Sequence, residues 1–280
     1  KVIQSNYRNF SMRNAFNPDD LSYTLWRFKM DHSIKDKVVL ITGGAKNLGG
    51  LLSQKFAEAG AKAIVIHYHS DEAKAQAEQT LADIKANGTQ AILIQSDLTK
   101  VENISNLFSK AKEAFGGIDI AINTVGMVLK KPITESSESE YDTMMDVNAK
   151  QAYFFLQEAG KHLNDNGKIC TIVTSLLAAY TGLYSLYAGA KAPVEHFTRA
   201  ASKEFGSRGI SVTAVAPGPM DTPFFYGQEA EEAVAYHKSA SALGGLTDIK
   251  DIAPLVLFLV SDGWWVTGQT IFANGGYTTR

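Results

Sequence analysis

An apolar run, Val38-Val39-Leu40-Ile41, passes without a spacer into Thr42-Gly43-Gly44-Ala45-Lys46-Asn47-Leu48-Gly49-Gly50, and a helical stretch follows from Leu51. No other feature limits the fold so strongly. An uninterrupted apolar strand is buried on both faces, and a glycine turn that opens into a helix belongs to a strand–helix–strand unit. Glycine there either relieves a tight turn or lets the backbone approach a pyrophosphate at the helix N-terminus. A second apolar strand at Ala63–Ile66, after Gly60-Ala61, is the context that favours the pyrophosphate.

The alternation continues. Strand-like runs stand at Ala91–Ile94, Ile118–Ile122, Ile169–Val173, Ser211–Val215 and Gln269–Phe272, and helix formers fill Gln54–Ala59, Ala73–Ala86, Ile104–Ala114 and Tyr153–His162. The expected fold is α/β: a single Rossmann-type, doubly wound parallel sheet of about seven strands with helices on both faces. A length of 280 residues suits one such domain, spanning 35–280. Residues 219–245 have no clear type and are expected to form a substrate lid. Residues 1–34, rich in aromatics, read as an N-terminal extension, either a surface-packed arm, partly foreign to the natural chain, or a subunit-contact arm. Within it Asn17-Pro18 reads as a helix cap, with Leu21, Leu25 and Phe28 on one face.

Composition excludes several classes. A net charge of −2 without basic runs argues against nucleic acid as a partner. No apolar run reaches the roughly 20 residues of a membrane span, and the first thirty residues lack the apolar stretch of a signal peptide. The only cysteine, Cys170, excludes an internal disulfide and a multi-cysteine zinc site. His67 and His69 share a strand face, but no third ligand is evident, so no metal is expected. A cytoplasmic location follows as the expectation.

The glycine turn resembles that of the short-chain dehydrogenase/reductase family, Thr-Gly-x-x-x-Gly-x-Gly. Thr42, Gly43 and Gly49 match, and Asn47 replaces the middle glycine. Asparagine is among the residues most tolerant of positive φ. The resemblance implies that Gly43, Lys46, Asn47, Leu48 and Gly49 bind a dinucleotide. An NAD enzyme needs an acid at the end of the second strand, for the ribose 2′-hydroxyl. Tyr68 stands there instead, and Lys46, with His67, His69 and Ser70 nearby, suits a 2′-phosphate. NADP is therefore expected over NAD. Asp97 and Leu98 are expected at the adenine, and Asn123 is expected to hold the sheet beside the cofactor. Pro217, Gly218, Met220 and Thr222 are expected near the nicotinamide.

Tyr187 and Lys191 stand four residues apart, one helical turn, with Ser175 twelve residues upstream. Ser175, Tyr187, Lys191 and Asn148 match the family's catalytic set over a resemblance covering about residues 36–277. It implies hydride transfer between NADP(H) and a small-molecule carbonyl or alcohol. Tyr187 would exchange the proton, with its phenol acidified by Lys191. Ser175 would fix the substrate oxygen, and Lys191 would also hold the nicotinamide ribose. Asn148 resembles the member that anchors a water beside the lysine.

Two alternatives stand against this. Tyr184, seven residues before Lys191, has the spacing of enoyl-thioester reductases, which reduce a C=C bond. A non-catalytic NADP-binding regulator on the same fold is the other. Leu176, Leu177, Tyr180, Tyr184 and residues 223–226 suit either an apolar pocket or ordinary packing. Glu229, Glu231 and Glu232 read as a solvated acidic face. By resemblance the chain is expected to form a homo-oligomer, a dimer or tetramer, through helices near 148–163 and 187–206.

Overall fold

The computed structural model describes residues 32–280. The extension expected over residues 1–34, with its Asn17-Pro18 cap, falls almost wholly outside the described residues. Ile34 is 7% exposed and packs into the core, so the domain's compact body begins one residue before the expected boundary.

Seven parallel strands form one sheet in the order β3-β2-β1-β4-β5-β6-β7. They are β1 (Val38–Thr42), β2 (Ala63–Tyr68), β3 (Gln90–Gln95), β4 (Ile118–Asn123), β5 (Leu163–Ile172), β6 (Ser211–Pro217) and β7 (Thr270–Ala273). The helices are α1 (Asn47–Glu58), α2 (Lys74–Ala86), α3 (Val101–Phe115), α4 (Glu138–Met145), α5 (Gln151–His162), α6 (Ser185–Phe205), α7 (Pro223–Tyr226), α8 (Glu231–Ala240) and α9 (Ile249–Leu259).

Alternate residues of a strand face opposite ways, and β1 divides its side chains accordingly. Val39 and Ile41 pack with Leu52, Phe56, Val256 and Leu259 of α1 and α9. Leu40 packs on the other face with Ile104, Phe108 and Phe155 of α3 and α5. This double burial explains why the strands read as unbroken apolar runs.

Strand order reverses between β1 and β4, both of which pair with their neighbours in parallel register. In a sheet of this kind a crevice opens there, beyond the strands' carboxyl ends. Most residues singled out above stand at those strand ends or just after them, while Tyr187 and Lys191 lie on α6 and Asn148 just before α5. The expected lid contains α7 and α8 and lies between β6 and α9.

Candidate active site

Two clefts meet at this edge. The larger, open to solvent, spans about 1500 Å³ and is lined by Gly43, Lys46, Asn47, Leu48 and Gly49 of the first turn. His67 and Tyr68 after β2, Asp97 and Leu98 after β3, and Tyr187, Lys191, Met220 and Thr222 complete the predicted part of its wall. The smaller, also open to solvent, spans about 630 Å³ and is lined by Ser175, Pro217, Gly218 and Tyr184. Tyr187 lines both, as do Val173, Met220, Thr222 and Phe224.

The glycine turn is built by close backbone approach. A Cβ on Gly49 would fall 2.1 Å from the Gly43 carbonyl oxygen. Asn47 adopts φ +49°, the left-handed conformation that asparagine tolerates. Helix α1 begins there with Lys46 as its N-cap, without a side-chain cap and without an acid in its first turn. Its first N–H groups are therefore left for an anion.

His67 departs from its expected role. Its Nδ1 accepts from the Gly43 N–H at 3.2 Å, so Nε2 carries the proton, which it gives to Ser96 O at 2.9 Å. Burial pushes its pKa down to about 4. The ring is thus a neutral buttress of the glycine turn and supplies no charge to a phosphate. Lys46 and His69 are exposed beside it, and among the described residues no group of His, Cys, Asp and Glu is arranged to hold a metal. Glu72, near Lys46 and His69, is held below the usual carboxylate range, chiefly by its hydrogen bond with Ser70. Asp97 turns one carboxylate oxygen onto Thr99, accepting from its N–H at 3.0 Å and its hydroxyl at 2.7 Å.

Asn123 and Asn148 are buried behind the cleft walls, at 0% and 1% exposure. Asn123 accepts from the Thr42 hydroxyl at 2.8 Å and the Val125 N–H at 3.2 Å, which fixes the turn after β4 against β1. Asn148 sits in a single π-turn, Asp146–Lys150, a local widening often found at functional sites. Its amide donates to Met127 O at 2.9 Å and Met144 O at 3.0 Å, and its oxygen accepts from Met127 N–H at 3.1 Å. A Cβ on Gly126 would lie 3.0 Å from Lys191 Nζ and 3.1 Å from Asn148 Oδ1. The missing side chain lets both groups approach the same point.

Lys191 is buried and donates to Ile172 O at 3.0 Å and Val125 O at 3.2 Å. Burial pulls its pKa down to about 8. Burial also pushes the Tyr187 phenol up to about 12, with the Thr174 hydroxyl beside it working the other way. Burial thus works against the acidification expected from Lys191, because it takes the phenol oxygen out of water. Ser175 donates to Ala216 O at 3.0 Å and accepts from the Asn274 amide at 3.0 Å. To reach a substrate oxygen its proton must rotate away from Ala216.

Some wall residues were not singled out from the sequence. Thr124 and Gln151 line the larger cleft, and Asn274 holds Ser175. Asn274 lies in Ala273-Asn274-Gly275-Gly276, whose glycines marked only a strand end. Glu229 is not solvated: its carboxylate is fully buried, pairs with Lys130 at 2.5 Å and accepts the Tyr184 hydroxyl.

No described helix is long and apolar enough to cross a membrane. A family model described as enoyl-(acyl carrier protein) reductase matches residues 43–278. The hydroxynaphthalene reductase-like protein Arp2 of Metarhizium brunneum is 34% identical over 262 residues, which are 88% of this chain and 97% of that protein. A short-chain type dehydrogenase/reductase of Picea abies is 33% identical over 249 residues, 86% of this chain and 92% of its own. Among solved structures, one described as a dehydrogenase from Burkholderia cenocepacia with bound NADP superposes with a TM-score of 0.90 at 60% identity, covering 92% of this chain and 99% of that one. A sheet order with its crevice at β1 and β4, and relatives matched over nearly their whole length, lead to one assignment: the chain belongs to the short-chain dehydrogenase/reductase family of oxidoreductases.

Proposed function

We propose that this chain is an NADP(H)-dependent reductase of a small-molecule carbonyl, with Tyr187 as proton donor. The observation that carries the reading is the place of Tyr187, on the wall shared by the two clefts. A dinucleotide in the larger cleft and a substrate in the smaller would meet at that phenol.

The residues fit the cofactor. The glycine turn and the uncapped start of α1 suit a pyrophosphate. Tyr68 stands where an acid would select NAD, and the exposed Lys46 suits a 2′-phosphate. NADP bound to the Burkholderia cenocepacia protein supports the same choice. When bound, the reduced nicotinamide supplies a hydride equivalent to the substrate carbon. Tyr187 supplies the proton to the substrate oxygen, and burial keeps its phenol protonated at neutral pH until then. Lys191, still largely cationic at pH 7, stabilises the phenolate as it forms. Ser175, pinned by Asn274, positions the oxygen. The reductase names among the relatives support this direction.

Tyr184 is the donor in the competing enoyl-thioester reading. Its hydroxyl is given to the buried carboxylate of Glu229, which argues against its use as a proton shuttle. The regulator reading has less support, since the four expected catalytic residues all sit around one crevice. NADPH oxidation with a panel of ketones and a crotonyl-type thioester tests the reading. Turnover with ketones is the expected result, and turnover with the thioester alone overturns it. Lys46→Ala is expected to raise the Kd for NADPH by roughly tenfold, the worth of one charge-assisted hydrogen bond, and to change that for NADH little. Equal losses for both would remove Lys46 from the 2′-phosphate site.

A homo-oligomer, dimer or tetramer, is part of the same reading. Tyr153 on α5 is 47% exposed and packs edge-on against Phe154 and against Phe197 of α6, an aromatic face suited to a second copy. A monomer at micromolar concentration by light scattering would remove it. A cytoplasmic setting is supported by the single, fully buried thiol of Cys170, and cell fractionation checks it.

A further inference from the structure

The lid carries a buried polar chain that the proposed reduction does not use. Glu229, its carboxylate fully buried, lies 3.5 Å from His237 Nε2 on α8. His237 Nδ1 in turn lies 2.8 Å from the Tyr277 hydroxyl. Lys130, from the segment after β4, balances the Glu229 charge at 2.5 Å. Both His237 and Tyr277 line the smaller cleft, together with Ser175 and Tyr187. Most of the remaining wall is apolar, with Val128, Leu176, Phe224 and Phe225 prominent.

The neighbours of His237 favour one tautomer of its ring. A carboxylate only accepts, so the imidazole nitrogen facing Glu229 carries the proton. Nδ1 of the neutral ring is then a bare acceptor, and the Tyr277 hydroxyl donates to it. Burial holds His237 below its usual range, against the pull of the Glu229 carboxylate. The Tyr277 oxygen is left with lone pairs and no proton to offer. In a mostly apolar cleft such an oxygen rewards a ligand that brings a hydrogen-bond donor.

We infer that Tyr277, set as an acceptor by His237 and Glu229, is a specificity-determining residue that selects carbonyl substrates bearing a separate hydroxyl group on an apolar ring. The inference rests on the carbonyl-reductase reading and deepens it. It names a substrate class, hydroxylated cyclic or aryl ketones, and assigns Glu229 and His237 of the lid the task of setting Tyr277 to receive their second oxygen.

The test is steady-state kinetics with NADPH on aryl ketones hydroxylated at each ring position, each paired with its methyl ether. The ether keeps the shape and loses the donor. For the best isomer, wild-type kcat/KM is expected to favour the hydroxyl form by roughly five- to tenfold, the worth of one hydrogen bond. Tyr277→Phe is expected to erase that preference, mainly through KM for the hydroxylated ketone. His237→Phe, which removes the ring acceptor, is expected to reduce it as well. A wild-type enzyme that reduces the ketones without preferring any hydroxyl form overturns this inference alone. So does a preference that survives Tyr277→Phe. A wild-type enzyme that reduces no ketone sinks the carbonyl reading, and this inference with it.

Discussion

Tyr187→Phe is expected to lower kcat for carbonyl reduction by about 10²–10⁴-fold, the range associated with loss of a positioned general acid. The substitution removes one oxygen and keeps the ring. That ring packs with Met144, Tyr184 and Ala190 and lies 6.5 Å from the Phe224 ring, so the local packing should persist. NADPH should still bind, because the glycine turn is untouched. Fluorescence titration of NADPH beside stopped-flow turnover separates the two effects. Tyr184→Phe provides the contrast: it loses a hydrogen bond to Glu229 and leaves the Tyr187 phenol in place. If Tyr184→Phe abolishes turnover and Tyr187→Phe does not, the proton donor has been assigned to the wrong tyrosine.

The second large effect is expected at Gly49. A methyl group there would meet the Gly43 carbonyl oxygen at 2.1 Å, the Gly43 carbonyl carbon at 2.8 Å and Thr124 Oγ1 at 2.9 Å. The two nearest atoms are backbone and cannot rotate away. Gly49→Ala must therefore open the turn between β1 and α1. A stability loss of about 1–3 kcal/mol is expected, as for other overpacked sites. NADPH affinity should fall by more than tenfold, since the same turn meets the pyrophosphate. Urea denaturation and NADPH titration check both. Wild-type values in both would mean that the close approach at Gly49 is not required.

Much of this site is legible in the sequence because its chemistry sits at strand ends. The unbroken apolar run of β1 and the glycines after it locate the crevice from local residues alone. Asn47 in the left-handed region is likewise a local property of one residue type. The parts that were misread depend on distant partners. His67 looks like a cation until the fold sets it between Gly43 and Ser96. Glu229 reads as a solvated acid because Lys130, which balances it, is 99 residues away in the chain. The acid shift expected of Tyr187 rests on the charge of its neighbour, and the burial of both groups, which works against it, shows only in the fold. Strand β5 begins at Leu163, well before the expected Ile169, because Leu163 pairs with Ile118 across a register shift. The polar residues Asn164-Asp165-Asn166 hide that start from any hydropathy pattern. Helix α9 hides in a run, Ile252 to Leu259, that is apolar throughout and carries Pro254, so that only the fold shows Ile252, Ala253, Val256 and Leu259 facing the core.

In the proposed reaction hydride passes from NADPH to a carbonyl carbon while Tyr187 protonates the oxygen. NADPH carrying deuterium at the transferred C4 position tests it most directly, with the reduced product analysed by NMR and mass spectrometry. One deuterium on the carbinol carbon per cofactor oxidised, in wild type and lost in Tyr187→Phe, is the predicted result. Deuterium found instead on the β-carbon of a reduced enoyl thioester, with ketones untouched, would contradict the account.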